Sequence, residues 1–142
     1  MTRESALWEA FRKGLKLVSD VLHVTRIENS TELGTPDVNG CADGVEFWVE
    51  LKVAKRPKLV KTRVAVDHFT QEQRFWLFER HKAGGYVFLL LQCGRYYYLI
   101  RGDIAAVEVG RCDQERLREL STYHGTSMAD LCSKLTESSR AT

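Results

Sequence analysis

Residues 45–53 read Val-Glu-Phe-Trp-Val-Glu-Leu-Lys-Val, an unbroken alternation of apolar with mostly polar side chains. Side chains on a strand point to opposite faces with a period of two. Val45, Phe47, Val49, Leu51 and Val53 therefore share one face, and Glu46, Trp48, Glu50 and Lys52 share the other. A helix would scatter both sets around its circumference. Such a strand needs partners in a sheet and a cover for its apolar face. Asp43-Gly44, directly before it, is a hairpin-turn pair.

The rest of the chain supplies partners and cover. Leu7, Trp8, Phe11, Leu15, Val18 and Leu22 follow the three-four spacing of a helix stripe. Residues 22–28 alternate as a strand, 29–35 are polar and turn-rich, and 37–41 form a short extended piece. A second helix is expected from residue 70 to about 83. Thr70-Gln71-Glu72-Gln73 fits a capping box there, and Gly84-Gly85 ends the helix. Residues 86–93 are apolar throughout, as in a central strand covered on both faces. Gly94-Arg95 turns into a strand at 96–100, and residues 101–103 turn again. Short helices are expected at 113–120 and 127–135. The order α-β-β-β-α-β-β-α-α predicts an α/β (α+β) fold with a central mixed sheet flanked by helices. A length of 142 residues suits one domain, residues 1–135, with 136–142 as a frayed tail.

Composition excludes several classes. The chain is 44% hydrophobic and 28% charged, as globular proteins are. The longest apolar run, 87–91, falls far short of the roughly 20 residues of a membrane helix. The first ten residues lack the apolar centre of a signal peptide. A cytoplasmic protein without membrane contact is the expectation. Cys41, Cys93, Cys112 and Cys132 form no Cys-x-x-Cys pair, and the four His make no helical ligand pair, so zinc is not expected.

Charge is unevenly spread. Lys52, Lys55, Arg56, Lys58, Lys61 and Arg63 fall within twelve residues that hold no acid. Removing those six from the 21 Lys and Arg leaves 15 basic residues against 19 acidic ones. A local basic stretch lets a protein of small net charge meet a polyanion; the same run also suits a solvated loop.

Asp37 and Glu50 flank a turn at 39–44. If the two strands pair around that turn, the carboxylates lie side by side. With water they form a hard, oxygen-only site of the kind Mg²⁺ takes. Without a cation they repel. Alone, Glu-Leu-Lys is also an ordinary solvent-facing triplet.

Gly34-Thr35-Pro36-Asp37 followed by Glu50-Leu51-Lys52, set between an N-terminal helix and a Gln-bearing helix, resembles the PD-(D/E)xK nuclease superfamily. More narrowly, it is similar to the small stand-alone virus-type replication-repair nucleases (VRR-NUC) and the archaeal-type Holliday junction resolvases. The resemblance spans about residues 4–100. It implies a restriction-endonuclease-like core in which Asp37 and Glu50 bind a divalent metal, Mg²⁺ with Mn²⁺ as a substitute. It also implies that the Leu51 backbone carbonyl joins them and that Lys52 orients or activates the attacking water. Many members add a carboxylate from the first helix. Glu4 points along the middle of the apolar stripe and Glu9 about 140° away from it, so Glu4 is preferred. A first-turn dipole role for Glu4 stays open. A Gln on the next helix is matched by Gln73, with Gln71 as the rival and capping as the other role for Gln73. Ser30 and Thr31 either contact phosphate or make the turn.

On this resemblance, Lys55, Arg56, Lys58, Lys61 and Arg63 track DNA phosphates beside the cut. Trp8 and Trp76 read as core residues, whereas Trp48, on the polar strand face, is left undecided between packing and base stacking. The implied function is a Mg²⁺-dependent DNA endonuclease of phage or bacterial replication and recombination. No separate sequence-reading module is present, which favours branched DNA as substrate. Two symmetric cuts at a junction require a homodimer. The alternative is a non-catalytic nucleic-acid-binding module on the same fold.

Overall fold

The computed structural model describes residues 3–28 and 33–137. Ser30, Thr31 and the tail from 138 lie outside the described residues. The elements are α1 (Arg3–Val18), β1 (Leu22–Arg26), β2 (Val38–Ala42), β3 (Val45–Ala54), α2 (Gln71–Lys82), β4 (Val87–Cys93), β5 (Tyr96–Arg101), α3 (Gly102–Glu108), α4 (Gln114–Leu120), β6 (Tyr123–Gly125) and α5 (Met128–Leu135). The strands form one sheet in sequence order. β3 and β4 run parallel, and the other neighbouring pairs are antiparallel. The fold is α/β, a mixed sheet with helices on both sides.

Each face of β3 has its own core. Leu7, Phe11 and Leu15 of α1 and Leu131 and Leu135 of α5 pack with Phe47, Val49 and Leu51. On the opposite face Leu77 of α2, Ala105 of α3 and Leu117 of α4 pack with Leu89, Leu91 and Ile100. The polar side of β3 is therefore not a solvent-facing edge. A parallel neighbour requires a crossover, and α2 in that crossover covers the face. Glu50 is 1% exposed and Lys52 5%.

Three expectations are corrected. The hairpin turn is the two residues Asp43 (φ 51°) and Gly44 (φ 86°), and β2 runs through to Ala42. Asp43 holds this primed turn in place, accepting from Ser19 Oγ at 2.8 Å and from the Val21 N–H at 3.2 Å. The turn expected at 101–103 is the entry to α3. A Cβ on Gly102 would lie 2.5 Å from Val87 Cγ2, so a glycine lets the helix start against β4. Residues 123–125 form an added edge strand, β6, too short to show alternation.

Candidate functional site

The β2–β3 ladder ends at Val38 opposite Val49. One step further, Asp37 meets Glu50. The Asp37 N–H donates to Glu50 Oε1 at 3.1 Å, and the Leu51 N–H donates to Asp37 Oδ2 at 2.9 Å. Glu50 Oε2 is buried and finds no hydrogen-bond donor among the described residues. Lys52 Nζ stands 4.0 Å from it. The same ammonium donates to the His68 carbonyl at 2.9 Å and lies 5.9 Å from the Phe69 ring centre. His68 occupies the left-handed region, φ 62°, uncommon for a residue other than glycine.

Burial, and then the neighbouring Asp37 carboxylate, push the Glu50 carboxyl up to about 10, while Lys52 pulls the other way. A deeply buried carboxyl with an orphaned oxygen beside a second carboxylate is poorly satisfied by protein alone. A divalent cation would satisfy the orphaned oxygen and remove the repulsion. The donor set fits a hard, oxygen-preferring metal.

Gly34 brings the loop before Asp37 onto α2. Its φ is +88°, and a Cβ there would lie 2.3 Å from the Glu72 carbonyl oxygen. The first turn of α2 is thereby fixed against the Asp37 loop. Gln73 closes the expected capping box. Its N–H donates to Thr70 Oγ1 at 3.2 Å, and its Oε1 accepts from the Thr70 N–H at 3.0 Å. The cap uses the amide oxygen and not the Nε2 donors. Glu4 is half-buried in the first turn of α1. Its neighbour Arg3 lines a cleft with Val53, Ala54, Lys55 and Arg56, so α1 begins beside the end of β3. Glu9 is ion-paired with Arg12 at 2.8 Å. Among the described residues no three His, Cys, Asp or Glu side chains form a metal-holding group. The carboxylates brought together are Asp37 and Glu50; Glu4 does not join them.

Lys55, Arg56, Lys58, Lys61 and Arg63 are all exposed. The two arginines also anchor the segment. Arg56 Nε donates to Gln114 Oε1 at 3.1 Å. Arg63 donates to the Gly110 carbonyl and bridges to Asp113 through its backbone. A cleft of about 670 Å³ opens between Arg3, Lys55, Lys58 and Asp67. Trp48, whose role the sequence leaves undecided, packs against Trp76 at 5.2 Å under the Arg80 guanidinium. From the sequence His68 reads as a DNA or acid-base side chain or as an incidental loop residue; the contact seen here is made by its backbone carbonyl, which any residue type carries.

No protein-family model matches the chain, and no curated protein matches it. Among solved structures it is similar to Hjc, a Holliday junction resolvase from the hyperthermophilic archaeon Archaeoglobus fulgidus. The identity is 13%, the TM-score 0.47, and the match covers 90% of this chain and 92% of that one. A likeness at that distance transfers no residue role. No helix among the described residues is long and apolar enough to cross a membrane.

Proposed function

We propose that this chain is a Mg²⁺-dependent DNA endonuclease acting on branched or otherwise structured DNA, in the manner of junction resolvases and VRR nucleases. The observation that carries the reading is the Asp37–Glu50 pair, half-buried at Asp37 and buried at Glu50, with the orphaned Glu50 Oε2 4.0 Å from the Lys52 ammonium. A structural ion pair would satisfy that oxygen; this arrangement leaves it for a ligand.

Asp37, Glu50 and the Leu51 carbonyl would hold the cation. When bound, it supplies Lewis-acid stabilisation of phosphoryl charge and a more acidic water. Lys52, held by the His68 carbonyl, orients a water or a phosphoryl oxygen and opposes negative charge in the transition state. Gln73 would orient substrate through the Nε2 donors that its cap does not use, and Glu4, which does not join Asp37 and Glu50 in this structure, would add its carboxylate only on substrate binding. Lys55, Lys58 and Lys61, with the anchored Arg56 and Arg63, carry the phosphate backbone across the protein without reading sequence. Paired cuts at a junction call for a homodimer in a cytoplasmic recombination setting.

The test is cleavage of labelled duplex, single strand, flap and four-way junction with Mg²⁺, Mn²⁺ or EDTA, with Asp37→Ala alongside. Metal-dependent cutting of the junction, lost in the variant, supports the reading. Binding without cutting under both metals replaces it with the non-catalytic module.

A further inference from the structure

A second cavity, of about 260 Å³, lies on the face of the sheet that carries Lys52. Cross-strand partners connect the two places in one row: Lys52 faces Leu91, Leu91 faces Tyr98, and Tyr98 faces His124. Three strand spacings make that row about 14 Å long. Leu91 and Tyr98 in that row are buried under the helices, so the row measures the separation of the two places through the core and not a path along the surface.

The cavity is built from flat groups and cations. Tyr98 is its buried floor, and the His124 ring stacks over it, with centroids 6.4 Å apart and planes 19° apart. The Arg56 guanidinium lies 5.0 Å over the Tyr96 ring. Gln114 holds that guanidinium at 3.1 Å and donates its own amide to the Pro57 carbonyl at 3.2 Å, so the wall is set before any ligand arrives. Arg118 and the exposed His124 stand at the mouth, and Glu115 is the lone acid of the lining. The volume lies below the roughly 300–1,000 Å³ of pockets for drug-sized ligands. Its size suits one planar ring, and its charge suits an attached anion.

We infer that this cavity binds one unpaired nucleotide of a DNA strand, its base stacked on the His124 and Arg56 planes and its phosphate met by Arg118. Unpaired bases stack on His, Tyr and guanidinium planes in this way. A base within a duplex is already stacked on both sides and does not enter. The site thus favours flaps, gaps and junction crossovers over continuous duplex. The inference deepens the nuclease reading and rests on it for the choice of DNA as ligand. It gives that reading a physical source of structural preference at a place separate from the Asp37–Glu50 pair.

The test uses the full chain in EDTA, where binding is read without cutting. The probes are a 2-aminopurine-labelled flap, the matching continuous duplex, and free dAMP as competitor. Wild-type protein is expected to bind the flap more tightly than the duplex and to change the 2-aminopurine fluorescence. His124→Ala and Arg118→Gln, both at exposed positions, are each expected to weaken flap binding about 5- to 100-fold and leave duplex binding unchanged. Flap binding equal to wild type in both variants overturns the inference. So does equal wild-type affinity for flap and duplex, or displacement of the flap by dAMP at matched nucleotide concentration. Cleavage with Mg²⁺ on the same preparations separates the two readings. Cutting with unaltered flap binding in the variants removes only this inference; weakened flap binding in the variants without cutting by wild type removes only the nuclease.

Discussion

Asp37 and Glu50 clasp each other's strand. Glu50 Oε1 accepts the Asp37 N–H at 3.1 Å, and Asp37 Oδ2 accepts the Leu51 N–H at 2.9 Å. The pair therefore closes the open end of the β2–β3 ladder as well as presenting two carboxylates. Asp37→Ala should abolish metal-dependent cleavage and also lower stability by about 1–3 kcal/mol, because the Leu51 N–H loses its acceptor. Cleavage assays beside urea melts check both parts. Asp37→Ala cutting at wild-type rates removes Asp37 from the site.

Glu50 links the site to pH. Its folded pKa is raised from the ordinary 4.5 by burial and by Asp37. The folded protein then keeps a proton that the unfolded chain releases, so metal-free stability falls as pH rises from about 4.5 toward 10. Below that window both states are protonated and the term vanishes. Glu50→Gln should lack this fall and exceed wild type at alkaline pH by on the order of 1 kcal/mol. Mg²⁺ binding at the pair should raise the melting temperature of wild type, and Glu50→Gln should lack that rise. Melts in EDTA and in Mg²⁺ at acid and alkaline pH decide it.

Lys52→Met keeps the stem beside Phe69 and removes the charge. The fold should persist while cleavage drops about 10²–10³-fold. A rate within twofold or so of wild type, at unchanged metal binding, would leave the ammonium without a part in the reaction.

Gly34→Ala tests whether α2 must sit against the Asp37 loop. A left-handed non-glycine residue costs about 1–3 kcal/mol, and the methyl would meet the Glu72 carbonyl. Lower stability with weaker metal binding is expected, read by calorimetry. Unchanged values would show that the loop relaxes freely.

The exposed lysines should set the salt dependence of DNA binding. Changing Lys55, Lys58 and Lys61 together to Gln should flatten the slope of log K against log salt by about 0.9 per lost phosphate contact, up to about 3. Arg56 and Arg63 are left in place because they hold the segment onto α4 and its approach. An unchanged slope would place the DNA on another face.

Much of the fold was legible because its signals are local. The alternation at 45–53, the Thr70 capping box and the stripe through Leu7, Phe11 and Leu15 each need only neighbours in the chain to be read. The pairing of Asp37 with Glu50 was legible too, since a hairpin fixes register by counting from its turn. Asp43-Gly44 was itself a local turn signal, but the reach of β2 through Ala42 was not, because the contacts of Asp43 with Ser19 and Val21 come from a distant part of the chain. Helix α3 escaped notice because Gly102 reads as a turn residue until Val87 is seen packed against it.

The sequence by itself determined which residues alternate, where helices begin, and that two carboxylates and a lysine share one strand face and its partner. It could not say whether that face meets water. The tertiary structure decided this by laying α2, α3 and α4 over β3, β4 and β5. Burial then turned an ordinary Glu-Leu-Lys triplet into a carboxyl held above its usual pKa, an unsatisfied oxygen and an ammonium tied to His68. Register is local counting. Desolvation depends on what distant segments cover, and no window of sequence contains that.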